Sequence, residues 1–214
     1  MESFRPKIAA DGVYFILPAA LISWICALTG HNYFSFIFFI ITCFIAFFFR
    51  DPDPEIPEGD NLILSPAHGK IVSIKSRHEN NFLLMDMQCV SIFLSIFDCH
   101  VNRAPVPGTI KSTKYNPGRF NLAFSSNASD QNENLSILLE TENKDKIVLK
   151  LITGFIARRI VSIVKMDDKL NKAQRIGLIR FGSRVDIYLP ENVKLSVSVG
   201  DRVKGGETIL GEFT

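Results

Sequence analysis

An uncharged apolar stretch near the N-terminus constrains the fold of this chain more than any other feature. Residues 13–49 contain no Asp, Glu, Lys or Arg, and ten of the 18 phenylalanines precede residue 51. As one straight helix this stretch would be about 55 Å long, nearly twice the roughly 30 Å hydrocarbon core of a bilayer. The polar break at residues 29–32 divides it into segments 13–30 and 33–49. We therefore predict an N-terminal hairpin of two membrane helices.

Charges at the ends of this hairpin predict its orientation. Arg5 and Lys7 precede it and Arg50 follows it, and positive residues beside membrane helices favour the cytoplasmic side. We expect residues 1–50 to lie in the cell (inner) membrane, either spanning or only embedded, with the rest of the chain in the cytoplasm. A buried hairpin in a soluble fold is an alternative, although this chain offers little protein to surround it. A cleavable signal peptide fits less well because the apolar run is too long.

Charge and cysteine content exclude several functions. The chain has 24 Lys+Arg and 22 Asp+Glu, a net charge of +2, so it lacks the broad positive surface that nucleic-acid binding requires. We expect no nucleic-acid partner. The four cysteines are spaced unlike metal ligands, so we expect neither a metal site nor a disulfide framework. Unpaired cysteines agree with a body in the reducing cytoplasm.

The remainder of the chain, residues 51–214, is predicted to be mostly β. Segment 51–61 has three prolines and five acidic residues in eleven, which indicates a linker. Beyond it, short apolar runs alternate with Gly, Pro and Asn breaks, a pattern typical of an antiparallel β sandwich or barrel. The predicted strands are 61–65, 70–74, 82–87, 90–97, 108–113, 135–140, 146–152, 158–164, 175–181, 184–189 and 194–199. Region 117–134 is predicted to be a loop.

One internal echo refines the predicted fold class. Residues 164–177 and 197–210 superpose at an offset of 33 residues, which matches Asp168 with Asp201. Each copy is predicted to form a strand, a turn and a strand. The C-terminal copy resembles the turn of lipoyl-like barrel-sandwich domains, where glycine supplies a positive φ. We therefore predict a mostly β fold, with a barrel-sandwich or lipoyl-like body after the helical hairpin.

Several passages together resemble a known enzyme family. The most specific are HVNRAP (100–105), ARRIV (157–161) and RFGSRVD (180–186), and they are accompanied by SPAHGK and VGDRVKGGETILGEF. In this order they resemble the short bacterial phosphatidylserine decarboxylases, and the resemblance covers nearly the whole chain. It implies a membrane lyase of phospholipid biosynthesis that is made as a zymogen.

The resemblance further implies a pyruvoyl cofactor made from Ser183 by self-cleavage after Gly182. The products would be a β chain, 1–182, and an α chain, 183–214, held together as a heterodimer, with a higher oligomer left open. Gly182 has no side chain, so the Ser183 hydroxyl can reach the preceding carbonyl carbon and form an ester. Elimination and hydrolysis would then leave the pyruvoyl group. Its carbonyl would form a Schiff base with phosphatidylserine in the bilayer, giving phosphatidylethanolamine and CO₂.

Other site residues follow from the same motifs. His100 falls on the family's histidine and is expected to transfer protons or contact the serine carboxylate. Asp98 would lie on the same face of an extended strand as His100, and it could orient either His100 or His68. Arg103 is expected to pair with the carboxylate or phosphate of the substrate, and Asn132 and Glu133 are assigned to substrate binding. A structural role is the alternative for His100, Arg103, Asn132 and Glu133.

Position 68 departs from the family pattern. Family members usually read SPADGK, so His68 replaces an Asp implicated in self-processing. A neutral imidazole can itself accept the Ser183 proton, but Asp98 with His100 can supply the base instead. A third hypothesis is a processing-deficient, membrane-anchored scaffold or binding protein. The same chemistry on another serine-headed lipid, such as an archaeal-type ether lipid, also fits the sequence.

Overall fold

The structure, a computed structural model, describes residues 8–118, 132–154, 160–179 and 183–214. The chain divides into two compact units, Met1–Asp53 and Pro54–Thr214. The first is helical and the second consists of β-strands.

The first unit contains two helices, α1 (Ala10–Leu28) and α2 (Asn32–Phe48). A turn at Thr29 and Gly30 joins them, and Gly30 adopts a φ of +77° that suits glycine. Most of the large apolar side chains of both helices are exposed. Among the described helices only α1, with a mean hydropathy of 1.7, is long and apolar enough to cross a bilayer, while α2 has 17 residues. The prediction of two N-terminal helices is confirmed.

The second unit contains fourteen strands within the described ranges. They are β1 (Leu62–Leu64), β2 (Gly69–Glu79), β3 (Met85–Leu94), β4 (Val101–Arg103), β5 (Gly108–Asn116), β6 (Asn134–Glu140), β7 (Lys146–Thr153), β8 (Ile160–Ser162), β9 (Lys169–Leu170), β10 (Arg175–Ile179), β11 (Ser183–Leu189), β12 (Val193–Leu195), β13 (Arg202–Val203) and β14 (Ile209–Phe213). Eight of them form one sheet in the order β13-β2-β3-β11-β7-β6-β5-β9, and two smaller sheets have the orders β1-β14-β12 and β4-β10-β8. Neighbouring strands are antiparallel, so the prediction of a mostly β body is confirmed.

The echo in the sequence corresponds to a repeated local structure. The Asp168 carboxylate accepts the backbone N–H of Lys165, and the Asp201 carboxylate accepts that of Ser198, 33 residues further on. Strands β9 and β13 follow these turns and lie at opposite edges of the large sheet. Counted inwards from its two edges, the sheet reads β13-β2-β3-β11 on one side and β9-β5-β6-β7 on the other. In both halves the edge strand comes last in the chain and the other three strands follow in chain order, which gives the sheet an internal pseudo-two-fold arrangement.

Alternation along β11 separates the two faces of the sheet. Val185, Ile187 and Leu189 belong to the main apolar core, whereas Arg184 and Asp186 are buried on the other face. Successive side chains of a strand point to opposite faces, so the two faces of this central strand have different chemistry.

Three predicted strands differ from the structure, and hydrogen bonds explain each difference. The predicted strand 90–97 belongs to one strand, Met85–Leu94, and ends there because the Asp98 carboxylate accepts the N–H and the hydroxyl of Ser95 and closes a turn. Residues 80–83 form a turn instead of the start of a strand over 82–87, because the buried Glu79 carboxylate accepts backbone N–H groups of Asn81, Phe82 and Leu83 at 2.8, 2.9 and 2.7 Å. The run 194–199 is a strand only as far as Leu195, since the turn closed by Asp201 begins at residue 198. Most of the predicted loop 117–134 lies outside the described residues.

Gly69 provides a test of how tightly the sheet is packed. A Cβ at this position would lie 2.2 Å from the carbonyl oxygen of Phe93 on β3. We expect Gly69→Ala to lower the free energy of unfolding by about 1–3 kcal/mol, since backbone must shift to relieve the overlap. Chemical denaturation of the detergent-solubilised chain measures this. Lys70→Ala, at the exposed neighbouring position, is the matched control, and equal stability of the two variants would contradict the packing argument.

Candidate active site

Five neighbouring strands bring most of the predicted site residues to one end of the large sheet. Strand β11 begins at Ser183, which pairs with Leu94 at the end of β3 and with Thr153 at the end of β7. Strand β2 begins at Gly69, directly after His68, and β6 begins directly after Glu133. We call this end of the sheet the Ser183 end.

Ser183 itself is fully buried. Its Oγ makes no hydrogen bond to any residue in the described part of the chain. A buried hydroxyl without a partner is costly for the fold, which suits a side chain that is consumed in a reaction. Gly182, the predicted cleavage partner, lies outside the described residues.

His100 is fully buried and directly precedes β4. Its carbonyl oxygen accepts the backbone N–H of Ile179, the last described residue before Ser183, at 3.3 Å. Its Nδ1 lies 2.9 Å from the carbonyl oxygen of Asp98. Because a carbonyl can only accept, Nδ1 must carry a proton, and Nε2 of the neutral ring is then the nitrogen with a lone pair. The local geometry gives His100 the tautomer of a base at Nε2.

Asp98 contacts His100 through its backbone, whereas the sequence suggested the side chain. The Asp98 carboxylate instead accepts the N–H and the hydroxyl of Ser95 at 2.8 and 2.7 Å. It also pairs with Arg202 at 3.2 Å. These bonds fix the tight turn that follows β3, and the turn presents the Asp98 carbonyl to His100.

His68 is half-buried, and its Nδ1 accepts the backbone N–H of Gly205 at 3.1 Å. In the neutral ring the proton therefore lies on Nε2. This tautomer offers a hydrogen-bond donor at Nε2, and accepting the Ser183 proton at Nδ1 would require loss of the Gly205 contact. The neighbouring Gly206 donates its N–H to the Ser65 carbonyl at 2.8 Å, so the C-terminal turn holds this loop by its backbone.

Arg103 is buried at the end of β4, 3% exposed. Its NH1 donates to the carbonyl of Ala173 at 3.1 Å, and its backbone N–H donates to the Pro66 carbonyl at 2.9 Å. The second of these contacts ties β4 to the loop that carries His68.

Asn132 and Glu133 adjoin Ser183 through Thr153. Both are buried, the Asn132 amide donates to the Thr153 carbonyl at 2.8 Å, and Thr153 donates its N–H and its hydroxyl to the Glu133 carbonyl. The Glu133 carboxylate accepts the hydroxyl of Tyr115. Partial desolvation, then the charge of Glu133 and this hydrogen bond, raise the pKa of Tyr115. Sequence reasoning missed Thr153 and Tyr115, which no motif singles out.

A buried ion pair follows directly after Ser183 on β11. Arg184 donates to the Asp186 carboxylate at 2.6 and 2.9 Å and to the Ser91 hydroxyl at 3.0 Å. Burial first, and then the charge of Asp186, raise the pKa of the neighbouring Cys89 thiol to about 12. The pair fixes the strand that begins at the candidate reacting residue.

The fold and this site define a class: a β-sheet protein with a buried serine at the start of its central strand and a buried histidine on an adjoining element. Residues 41–211 match the family model for phosphatidylserine decarboxylase. The chain belongs to the phosphatidylserine decarboxylase family.

Curated relatives agree over nearly the whole chain, and each is named a phosphatidylserine decarboxylase proenzyme. The protein of Desulfotalea psychrophila is 43% identical over 206 residues, 96% of each chain. That of Geotalea uraniireducens is 41% identical over 211 residues, 99% of each chain. That of Rickettsia typhi is 44% identical over 209 residues, 96% of this chain and 90% of the relative.

The ion pair on β11 yields a stability prediction. Asp186→Ala removes the carboxylate that binds the buried Arg184 guanidinium, so we expect the free energy of unfolding to fall by about 3–5 kcal/mol. The double variant Arg184→Met, Asp186→Leu removes both charges and is expected to recover most of that loss. Thermal denaturation of the three proteins checks this, and a double variant no more stable than Asp186→Ala would show that the charges themselves are needed.

Proposed function

We propose that this chain decarboxylates phosphatidylserine to phosphatidylethanolamine and CO₂, using a pyruvoyl group made from its own Ser183. One observation carries the proposal within this family: Ser183 is a buried serine with no hydrogen-bond partner for Oγ in the described residues, at the first position of a strand paired on both sides. That arrangement supports its role as precursor of the cofactor.

Self-cleavage would use the groups that surround Ser183. Its hydroxyl gives a proton to a base and attacks the carbonyl carbon of Gly182, the peptide C–N bond breaks, and an ester and a free amine form. Elimination expels the Gly182 carboxylate and leaves a double bond at position 183. Water then hydrolyses the imine tautomer, and ammonia leaves. His100 is our candidate base because its Nε2 carries the lone pair in the tautomer that Asp98 sets.

The two products would stay together through strand pairing. Strand β11 belongs to the α chain, while β3 and β7 on either side belong to the β chain. Seven residues of β11 pair with β3 and six pair with β7. Strand β14 of the α chain also pairs with β1, so the small fragment contributes strands to two sheets. This supports a heterodimer made from one chain.

The residues near Ser183 fit a serine head group. When present, the pyruvoyl group supplies a carbonyl that binds the serine amine and accepts the electron pair left by CO₂. The Glu133 carboxylate can hold the ammonium before reaction, since it accepts from Tyr115 and retains further acceptor sites. Arg103 is our candidate for the anionic groups of the lipid, because a guanidinium can bind a carboxylate or phosphate through two parallel hydrogen bonds. Asn132 positions Thr153 at the edge of this site.

His68 is assigned a donor and positioning role. Its Nε2–H can donate to an anionic or carbonyl oxygen, while its Nδ1 keeps the C-terminal turn in place. An Asp at this position would also accept the Gly205 N–H. The replacement therefore preserves one contact and changes the other from acceptor to donor.

The first unit is proposed to be the membrane anchor of this enzyme. Two apolar helices with mostly exposed side chains suit an embedded hairpin, and Arg50 at its end favours a cytoplasmic body at the inner membrane. Residues 1–50 then form the anchor and residues 51–214 the decarboxylase domain. The pseudo-two-fold arrangement of the large sheet supports a barrel-sandwich relationship for that domain.

Ser183→Ala tests the proposed function directly. The parent chain is expected to split into fragments of about 20.4 and 3.6 kDa, since residues 183–214 make up 32/214 of 24.0 kDa. The variant is expected to remain intact and inactive because it lacks the attacking hydroxyl. Denaturing mass spectrometry and CO₂ release measure the two effects, and Ser162→Ala on β8 is the control. A cleaved, active Ser183→Ala protein would refute the mechanism, and an intact parent would favour the processing-deficient scaffold.

The role of His68 is tested by replacing it with Asp, the residue that the family pattern usually has at this position. His68→Asp keeps an acceptor for Gly205 and is expected to cleave at least as fast as the parent. His68→Leu loses the Gly205 hydrogen bond and the proposed Nε2–H donor, and we expect cleavage to slow by about a hundredfold, the scale of one acid–base or donor contribution. His78→Leu, at an exposed histidine on β2 paired with Asp86, is the control. Loss of cleavage in His68→Asp would mean that the imidazole has a role no carboxylate replaces.

A further inference from the structure

We propose that the Ser183 end of the large sheet docks onto the phospholipid bilayer, with Phe97 and Tyr115 entering the head-group layer. This inference rests on the proposed function, because it requires the reacting group at position 183 to meet a lipid. It names which surface of the second unit faces the membrane.

The length of the head group sets how close that surface must come. The head-group layer is about 5–8 Å deep on each side of the hydrocarbon core. The serine amine belongs to this layer, and the acyl chains of the lipid hold it there. Position 183 must therefore approach the layer itself, and exposed side chains next to Ser183 meet lipid first.

Two exposed aromatic side chains lie at this end on opposite sides of Ser183. Phe97 is 64% exposed and sits in the turn that follows Leu94, the β3 partner of Ser183. Tyr115 is 56% exposed and lies one residue before the end of β5, three strands from β11. At about 4.8 Å per strand this places Tyr115 roughly 15 Å to the side of β11. Aromatic side chains are favoured at membrane interfaces.

The turn that carries Phe97 is held rigidly. The Asp98 carboxylate binds Ser95 twice and also pairs with Arg202. Phe97 therefore stays exposed at a fixed place instead of folding back onto the sheet. A preformed apolar tip loses little conformational entropy when it enters lipid.

Charge distinguishes this end from the opposite one. Three exposed cations lie near the two aromatics, namely Lys70, Lys114 and Arg202, of which Arg202 is paired with Asp98, and Asp201 is an exposed acid beside them. The opposite end of the β2–β3 hairpin also exposes apolar side chains, Leu84 and Met85, but the acid Asp86 follows them, in hydrogen-bond contact with His78. Phosphatidylserine membranes are anionic and attract cations near their surface, so the Ser183 end is the complementary one.

Fluorescence quenching tests the contact without requiring activity. The only tryptophan, Trp24, is replaced by Phe, and a new one is introduced as Phe97→Trp, Tyr115→Trp or, as control, Met85→Trp. The Ser183→Ala full chain carries these changes in phosphatidylcholine–phosphatidylglycerol vesicles brominated on the acyl chains. We expect at least about twofold stronger quenching at positions 97 and 115 than at 85, since bromine quenches only side chains near the lipid tails. Equal quenching at all three positions, or stronger quenching at 85, would overturn the proposal.

Kinetics of the cleavage-competent chain give an independent readout. We expect Phe97→Glu to raise KM about tenfold for phosphatidylserine in vesicles, because a carboxylate at the tip opposes insertion into an anionic surface. Self-cleavage and turnover of a soluble short-chain phosphatidylserine should not change, and Met85→Glu is the matched control. Identical kinetics of the two variants on vesicles would count against docking at this end. A parent without decarboxylase activity would refute the proposed function, while the quenching result would still decide the docking surface.

Discussion

The pairing of β11 on both of its edges is the constraint on which the rest of the structure depends. A strand in the middle of a sheet cannot shift by one residue without turning its apolar side chains to the wrong face. Val185, Ile187 and Leu189 are fully buried in the main core, so the register of β11 is fixed. That register in turn fixes Ser183 at the end of the sheet. The proposed self-cleavage before Ser183 would need neighbouring strands that do not move, and the double pairing of β11 would meet that need.

The polar face of β11 adds a second restraint. Arg184 and Asp186 are buried on the side opposite the apolar core and satisfy each other, with Ser91 as a further partner. A buried charge pair of this kind stabilises little by itself, but it disfavours arrangements in which either partner is left alone. We infer that it specifies the position of the strand, whereas the apolar face supplies most of the stability.

The sequence predicted the type of the elements better than their arrangement. Two helices, a mostly antiparallel β body and the repeat at an offset of 33 residues could be read from local patterns. The run 82–87 could not, because Glu79 closes a turn over it through backbone groups that no hydrophobic pattern records. The Ser183 end could not be predicted either. It depends on which strands are neighbours, and it joins Ser183 to Thr153, Glu133 and Tyr115 through long-range pairing. The motifs identified Ser183, His100 and Asp98 as candidate site residues. They did not predict that Asp98 would contact His100 through its backbone carbonyl.

With His68 in place of the family's usual Asp, two roles that one carboxylate can fill become separate: accepting the Gly205 N–H and accepting a proton. An acceptor at position 68 is required by the C-terminal turn, because the Gly205 N–H points at this side chain and the neighbouring Gly206 is already bonded to Ser65. Both imidazole and carboxylate meet that requirement. In the histidine tautomer so fixed, His68 cannot accept a proton at Nδ1 without losing its contact to the turn, whereas the neutral His100 ring has its lone pair on Nε2. After cleavage Gly205 would belong to the α chain and both histidines to the β chain. Position 68 would then link the two chains beside the cofactor, which gives it a reason to remain polar whichever residue removes the proton.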